Sequence, residues 1–106
     1  MLIRNIKEFL EKTKTRKILA LDMGKKKIGL AISDPNHKIV NPLEVLKKDK
    51  NYLDKLLLII KDFNIGGILI GLPITNSDKN KMCQMIKDIG KNIDKFLLEN
   101  NNDLPI

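Results

Sequence analysis

Residues 18–34 read Ile-Leu-Ala-Leu-Asp-Met-Gly-Lys-Lys-Lys-Ile-Gly-Leu-Ala-Ile-Ser-Asp, and this stretch decides the fold. An apolar run, about Lys17 to Asp22, ends in a carboxylate. Gly24-Lys25-Lys26-Lys27 supplies a tight turn, and a second apolar run follows from Ile28 to about Ser33. Two such runs joined by a short glycine-containing link predict a β-hairpin. Asp22 stands where the strand pattern expects an apolar residue, and a buried or half-buried acid needs a cation, a metal ion or backbone N–H groups as partner. Asp22 is therefore the first candidate for chemistry. Two readings are open: a divalent-cation ligand at the end of a central strand, or a turn acid capping the N–H groups of Gly24 and Lys25. Gly24 lets a phosphate come close to the backbone.

On either side of the hairpin the pattern changes. Ile3, Ile6, Phe9 and Leu10 fall at helical spacing and predict a short amphipathic helix. After the hairpin, Asp34-Pro35-Asn36-His37 is a turn by composition, and Lys38 to Pro42 reads as a weak edge strand. Leu53, Leu56, Leu57 and Ile60 mark a helix over 51–63, with Asn64 as its stop. Gly66 to Gly71 is a short continuous apolar run, typical of a central parallel strand covered on both faces. Asn76, Ser77 and Asp78 offer N-cap chemistry for a second long helix. Its stripe from Met82 through Met85, Ile86, Ile89, Ile93 and Phe96 to Leu97 reads as core. A strand–helix–strand crossover beside a hairpin implies an α/β domain with a mixed sheet and helices on its faces.

The 106 residues suffice for one domain, and the scarcity of aromatics, 4% with no tryptophan, requires an Ile/Leu/Val core. No apolar run approaches a membrane span and Met1 to Thr13 has no secretory core, which predicts a cytoplasmic protein with no membrane partner. The single cysteine, Cys83, reads as a packing residue. His37 reads as a surface residue, and Ser33 and Asp34 have no histidine placed to complete a nucleophilic triad. The net charge is +7, with Lys12, Lys14, Arg16, Lys17 and Lys25 to Lys27 opposed locally by Asp22 alone. Such a patch would attract phosphate backbones. The same lysines, among abundant Ile and Asn, also match the codon bias of an AT-rich genome, so charge alone leaves nucleic-acid binding open.

The run Ala20-Leu21-Asp22-Met23-Gly24-Lys25-Lys26-Lys27-Ile28-Gly29-Leu30-Ala31-Ile32-Ser33-Asp34 resembles the opening motif of the YqgF/RuvX family, Holliday-junction-resolvase-like proteins regarded as pre-16S ribosomal RNA nucleases. The family pattern there is Leu-Asp-hydrophobic-Gly-Thr-Lys-Arg-Ile-Gly-hydrophobic-Ala-hydrophobic-Ser-Asp. Ile68-Leu69-Ile70-Gly71-Leu72-Pro73 is similar to its second motif, and the likeness covers about residues 17–106. The resemblance implies a ribonuclease-H-like fold and Mg²⁺- or Mn²⁺-dependent phosphodiester hydrolysis. It places the family's catalytic, metal-binding aspartate on Asp22. Its glycine falls on Gly24, its lysine on Lys26 and its arginine on Lys27, as substrate-binding positions. Lys25 replaces a small hydroxyl residue. The family pattern continues into a fifth strand with an Asp-Glu-Arg-Leu motif and a last helix carrying another aspartate. The expectation is a single domain over 1–106 that lacks this last strand and helix. Leu104-Pro105-Ile106 resembles the start of that strand.

The expected function is that of a nuclease processing the 5′ end of pre-16S rRNA, with RNA or branched DNA as partner. Alternatives are a non-catalytic nucleic-acid-binding module and an ATP-binding fragment of the actin/sugar-kinase type. A missing fifth strand would leave Ile68 to Ile70 on an open sheet edge, so a homo-oligomer paired through that edge is a further expectation.

Overall fold

A computed structural model describes residues 1–3, 5–24, 26–71 and 79–106, with side chains from 84 onward in the last segment. In chain order the elements are α1 (Ile6–Lys12), β1 (Lys17–Met23), β2 (Lys27–Ser33), β3 (Val40–Lys47), α2 (Tyr52–Asp62), β4 (Ile65–Gly71) and α3 (Lys79–Glu99). The four strands form one mixed sheet in the order β3-β2-β1-β4. β1 runs antiparallel to β2 and parallel to β4, and β2 runs antiparallel to β3. The architecture is α/β, as the sequence pattern requires, and is consistent with a ribonuclease-H-like fold.

Strand side chains alternate between two faces. On one face Leu19, Leu21 and Met23 of β1 stand opposite Ile32, Leu30 and Ile28 of β2, and Ile68 of β4 lies beside Leu19. These join Leu56, Ile59 and Ile60 of α2 and Ile86, Ile93 and Leu97 of α3 in one buried cluster. Each such side chain contributes about 1.5–3 kcal/mol on burial. α3 lies against the sheet at Gly90, where a Cβ would make an ordinary contact 3.6 Å from Ile70 Cδ1.

Among the described residues, the other face is covered at one end only. Phe9 of α1 and Thr13 just beyond it are buried over β4, and a Cβ at Gly67 would fall 2.4 Å from Thr13 Cγ2 and 3.2 Å from Phe9 Cζ. Toward the carboxyl ends of β1 and β4 the cover by described residues stops: Leu69 is 44% exposed and Gly71 is exposed.

Several expectations change. β4 is parallel but stands at one end of the strand order rather than at its centre, and it is buried on both faces only in its first half, because α1 reaches no further. In α1 only Phe9 is buried, while Ile6 and Leu10 point to solvent. β3 runs to Lys47 rather than ending at Pro42. A bulge explains the difference: Leu30 pairs with Glu44 and Ala31 with Pro42, so Leu43 is an extra residue that breaks the alternation. Pro42 is tolerated because β3 is an edge strand. Asn64 ends α2 in the left-handed region, φ 52°, as its role of stop requires. α3 ends in the same manner at Asn101, φ 59°, where Asn102 N–H donates to Leu97 O at 2.8 Å and Asn101 N–H to Leu98 O at 3.2 Å. The N-cap expectation at 76–78 and the core roles of Met82 and Cys83 lie outside the described residues and side chains.

The outer edge of β4 is not open along its length. Ile68 N–H donates to Pro105 O at 2.9 Å, and the same segment exchanges bonds with the amino terminus through Ile3 N–H to Ile106 O and Ile106 N–H to Met1 O, both 2.9 Å. Residues 104–106 thus begin to occupy the position next to β4.

Candidate active site

Asp22 is the penultimate residue of β1, on the face opposite the main core. Its cross-strand neighbours are both glycines: Gly29 on β2 and Gly71 on β4. With no side chain on either flank, the carboxylate is exposed. The sequence expectation of a buried or half-buried acid is therefore incorrect, and the cause is the pair of flanking glycines. Nor does Asp22 accept any of the hydrogen bonds found among the described side chains, such as those made by Asp34 and Asp49. The ion pairs among the described residues join the Met1 amine to Asp94 and Asp103, and Lys55 to Asp49. Among the described residues the carboxylate has no hydrogen-bond or ion-pair partner.

Gly24 follows β1 and closes the hairpin, its N–H donating to Lys27 O at 2.9 Å. Its φ is not positive. Glycine is needed because a Cβ would sit 2.7 Å from that carbonyl oxygen. Lys27 opens β2 and shares the Asp22 face, since Gly29 lies opposite Asp22 and Lys27 is two residues away. Lys26 is exposed at the tip. The structure thus brings Asp22, Gly24, Lys26 and Lys27 to one end of the sheet. Lys25 lies outside the described residues.

Arg16 and Lys17 do not join them. They stand at the start of β1, roughly 20 Å from the hairpin tip at 3.3 Å per residue. The Arg16 carbonyl accepts a bond from His37 Nε2 at 2.8 Å, and the side chain lies against Gly66. The basic run seen in the sequence is split by the strand between its halves. In its place β3 delivers two lysines that sequence spacing did not suggest. Lys47 pairs directly with Lys27, and Lys48 N–H donates to Lys26 O at 2.8 Å.

Ser33 and Asp34 take structural roles. Ser33 Oγ accepts from Ile18 N–H at 2.8 Å and is buried. The Asp34 carboxylate accepts from the N–H groups of Ile39, Lys38 and Asn36 at 2.9, 2.7 and 3.3 Å. These bonds, that of Ile39 foremost, hold its pKa below the ordinary value.

Beside Asp22 the open face forms a groove of about 650 Å³ with a floor of Ala20, Gly29, Ala31 and Gly71 and walls that include Val40, Leu43, Val45 and Leu69. No helix among the described residues is long and apolar enough to cross a membrane.

The family model described as RuvX, Holliday junction resolvase, matches residues 16–104. The chain belongs to the RuvX family. A "Putative pre-16S rRNA nuclease" from Pelagibacter ubique is 33% identical over 100 residues, 92% of this chain and 63% of the relative. A protein of the same name from Roseobacter denitrificans is 32% identical over all of this chain and 66% of its own length. The chain spans somewhat under two thirds of the length of these RuvX-family relatives. Among solved structures, a Bacteroides thetaiotaomicron protein with an actin-like ATPase fold and unknown function aligns over 95% of this chain and 37% of its own, at 19% identity and a TM-score of 0.40. That likeness is too slight to support an ATPase reading.

Proposed function

We propose that this chain forms part of a metal-dependent nuclease that hydrolyses phosphodiester bonds in RNA and processes the 5′ end of pre-16S rRNA. The observation that carries the proposal is the exposed Asp22 carboxylate, which has no partner among the described residues and stands between two glycines at the end of the sheet where the hairpin lysines gather. The names of the RuvX-family relatives support the substrate.

Asp22 suits Mg²⁺ or Mn²⁺ by chemistry. A hard cation accepts one or two carboxylates and completes its shell with waters and substrate phosphates. When bound, the ion supplies water activation and offsets charge developing on the phosphate. The chain's own residues do the rest. Asp22 holds the site at a fixed point on a rigid strand. Gly29 and Gly71 leave room beside it for an ion and a phosphate oxygen. Lys26 and Lys27 attract and orient the backbone.

Among the described residues no three acids, histidines or cysteines converge. Two-metal hydrolysis needs more carboxylates than Asp22 alone. This favours, as a second reading, a non-catalytic RNA-binding module for the 106 residues by themselves. Both readings are tested with a labelled RNA spanning the 5′ end of 16S rRNA. We expect the 106-residue chain to bind Mg²⁺ weakly and to cleave little or nothing. A chimera extended by the family's Asp-Glu-Arg-Leu strand and last helix should cleave in Mg²⁺. Asp22→Asn should abolish that cleavage and leave RNA binding intact. Cleavage by the chimera that survives Asp22→Asn removes Asp22 from the chemistry. RNA binding without cleavage by the chimera leaves the binding module standing.

A further inference from the structure

We infer that Lys47 and Lys48, at the end of β3, extend the hairpin lysines into a contact surface for the phosphate backbone of single-stranded RNA, leading the strand across β3 and β2 toward Asp22. The inference rests on the nucleic-acid reading above and adds the residues and the direction of approach.

Register is the first argument. Gly29 of β2 lies opposite Asp22 on one side and Val45 of β3 on the other. Two residues along, Lys27 lies opposite Lys47. Lys27 and Lys47 therefore project from the same face as Asp22, one pleat further toward the sheet end. Lys48 is held to the tip as well: its N–H donates to Lys26 O, and its Nζ lies 3.5 Å from Gly24 O. Four lysines, two at the hairpin turn and the start of β2 and two at the end of β3 and just beyond it, converge beside one carboxylate.

Charge is the second argument. Like charges directly opposite each other across a strand pair are destabilising. The acid nearest to Lys48 in the chain, Asp49, is engaged elsewhere: it is 3.8 Å from Lys55 Nζ and accepts Asn51 N–H. None of the ion pairs among the described residues includes Lys26, Lys27, Lys47 or Lys48. Among the described residues Asp22 is the one carboxylate placed beside these four ammonium groups, and a run of phosphates supplies the remaining counter-charge. The groove wall is aliphatic on the side away from these lysines, with Val40 and Leu43, so the polyanion is drawn along the lysine side.

The test is fluorescence anisotropy of a labelled 20-nucleotide RNA against KCl, with the 106-residue chain and three double variants. Each phosphate contact on a single strand contributes roughly 0.7 to the slope of log affinity against log salt. Lys47→Gln/Lys48→Gln should flatten the slope by about 1.4 and weaken binding about tenfold at low salt. Lys87→Gln/Lys91→Gln removes the same charge from α3, which packs on the opposite face of the sheet, and should weaken binding less than about twofold. Lys47→Arg/Lys48→Arg should restore the slope. Equal losses from the β3 and α3 pairs overturn the inference, because net charge then explains the affinity. Lys26→Gln/Lys27→Gln separates the two readings. If that pair weakens binding and the β3 pair does not, the hairpin reading stands and this inference fails. If the unaltered chain shows no salt-dependent RNA binding, both fail.

Discussion

Gly24 and Gly29 both belong to the hairpin, yet they are glycine for different reasons. A Cβ at Gly24 would lie 2.7 Å from a backbone oxygen, whereas one at Gly29 would lie 3.6 Å from Asp22 Cβ, an ordinary contact. Gly24→Ala should therefore open the turn and lower stability by about 1–3 kcal/mol. Gly29→Ala should fold normally, within about 0.5 kcal/mol of the parent, but place a methyl group on the floor beside the carboxylate. Mn²⁺ titration and RNA binding should both weaken in Gly29→Ala while its melting curve stays put. Unchanged Mn²⁺ and RNA binding in that variant would show that the bare floor has no part in the site. Asp22 was legible from sequence because it interrupts an apolar strand. Its exposure was not, since that depends on Gly29 and Gly71 lying opposite it, and cross-strand register is invisible in one dimension. Lys47 and Lys48 were missed for the same reason: they lie 20 residues or more from the hairpin lysines and meet them only through the β2–β3 ladder.

At the scale of elements, the bounds of the strong periodic segments are legible in the sequence almost to the residue and those of the edge elements are not; Met85, which its spacing places in the core stripe of α3, is instead 48% exposed. β1, β2, α2 and α3 are set by long apolar patterns whose burial is local to each element. β3 carries Pro42 and a bulge at Leu43, so its alternation fails where a simple pattern is sought. α1 has a different defect. Its helical spacing was real, but the buried residue is decided by what lies beneath it, and that is Gly67. A helix of seven residues is not stable alone; α1 exists because Phe9 and Thr13 seat on a strand with no side chain at that point. Thr13 Oγ1 also donates to Phe9 O at 2.8 Å, which ties the helix end together. Gly67→Ala should unseat it, at about 1–3 kcal/mol. The melting temperature should fall, and trypsin should cut at Lys12 and Lys14 much faster than in the parent. An undiminished melting temperature together with parental trypsin resistance would mean that α1 is held by something other than the bare strand.

For the whole molecule, the asymmetry of the two sheet faces matters more than the open edge anticipated from the sequence. The β4 edge meets Pro105 at Ile68, and that segment is in turn bonded to Met1 and Ile3, so pairing there has a partner within the chain. The face bearing Asp22 is different. Val40 and Val45 on β3 are 61% and 63% exposed, Leu69 on β4 is 44% exposed, and the alanine and glycine floor lies between them. The area is largely aliphatic, with Asp22 and Glu44 as its charged lining residues, and an exposed apolar area of this kind drives association in water. We therefore expect the 106-residue chain to self-associate through this face as its concentration rises. Light scattering over a concentration series reads the mass. Leu69→Lys and Val45→Lys each place a charge on the face and should each return the chain to a monomer. A charge added on the outer face of α3, as in Leu98→Lys, should leave association unchanged, because exposed Leu98 lies away from the groove. A monomer at every concentration would show that the face is not adhesive. Association relieved equally by Leu98→Lys would trace it to total charge rather than to the face beside Asp22.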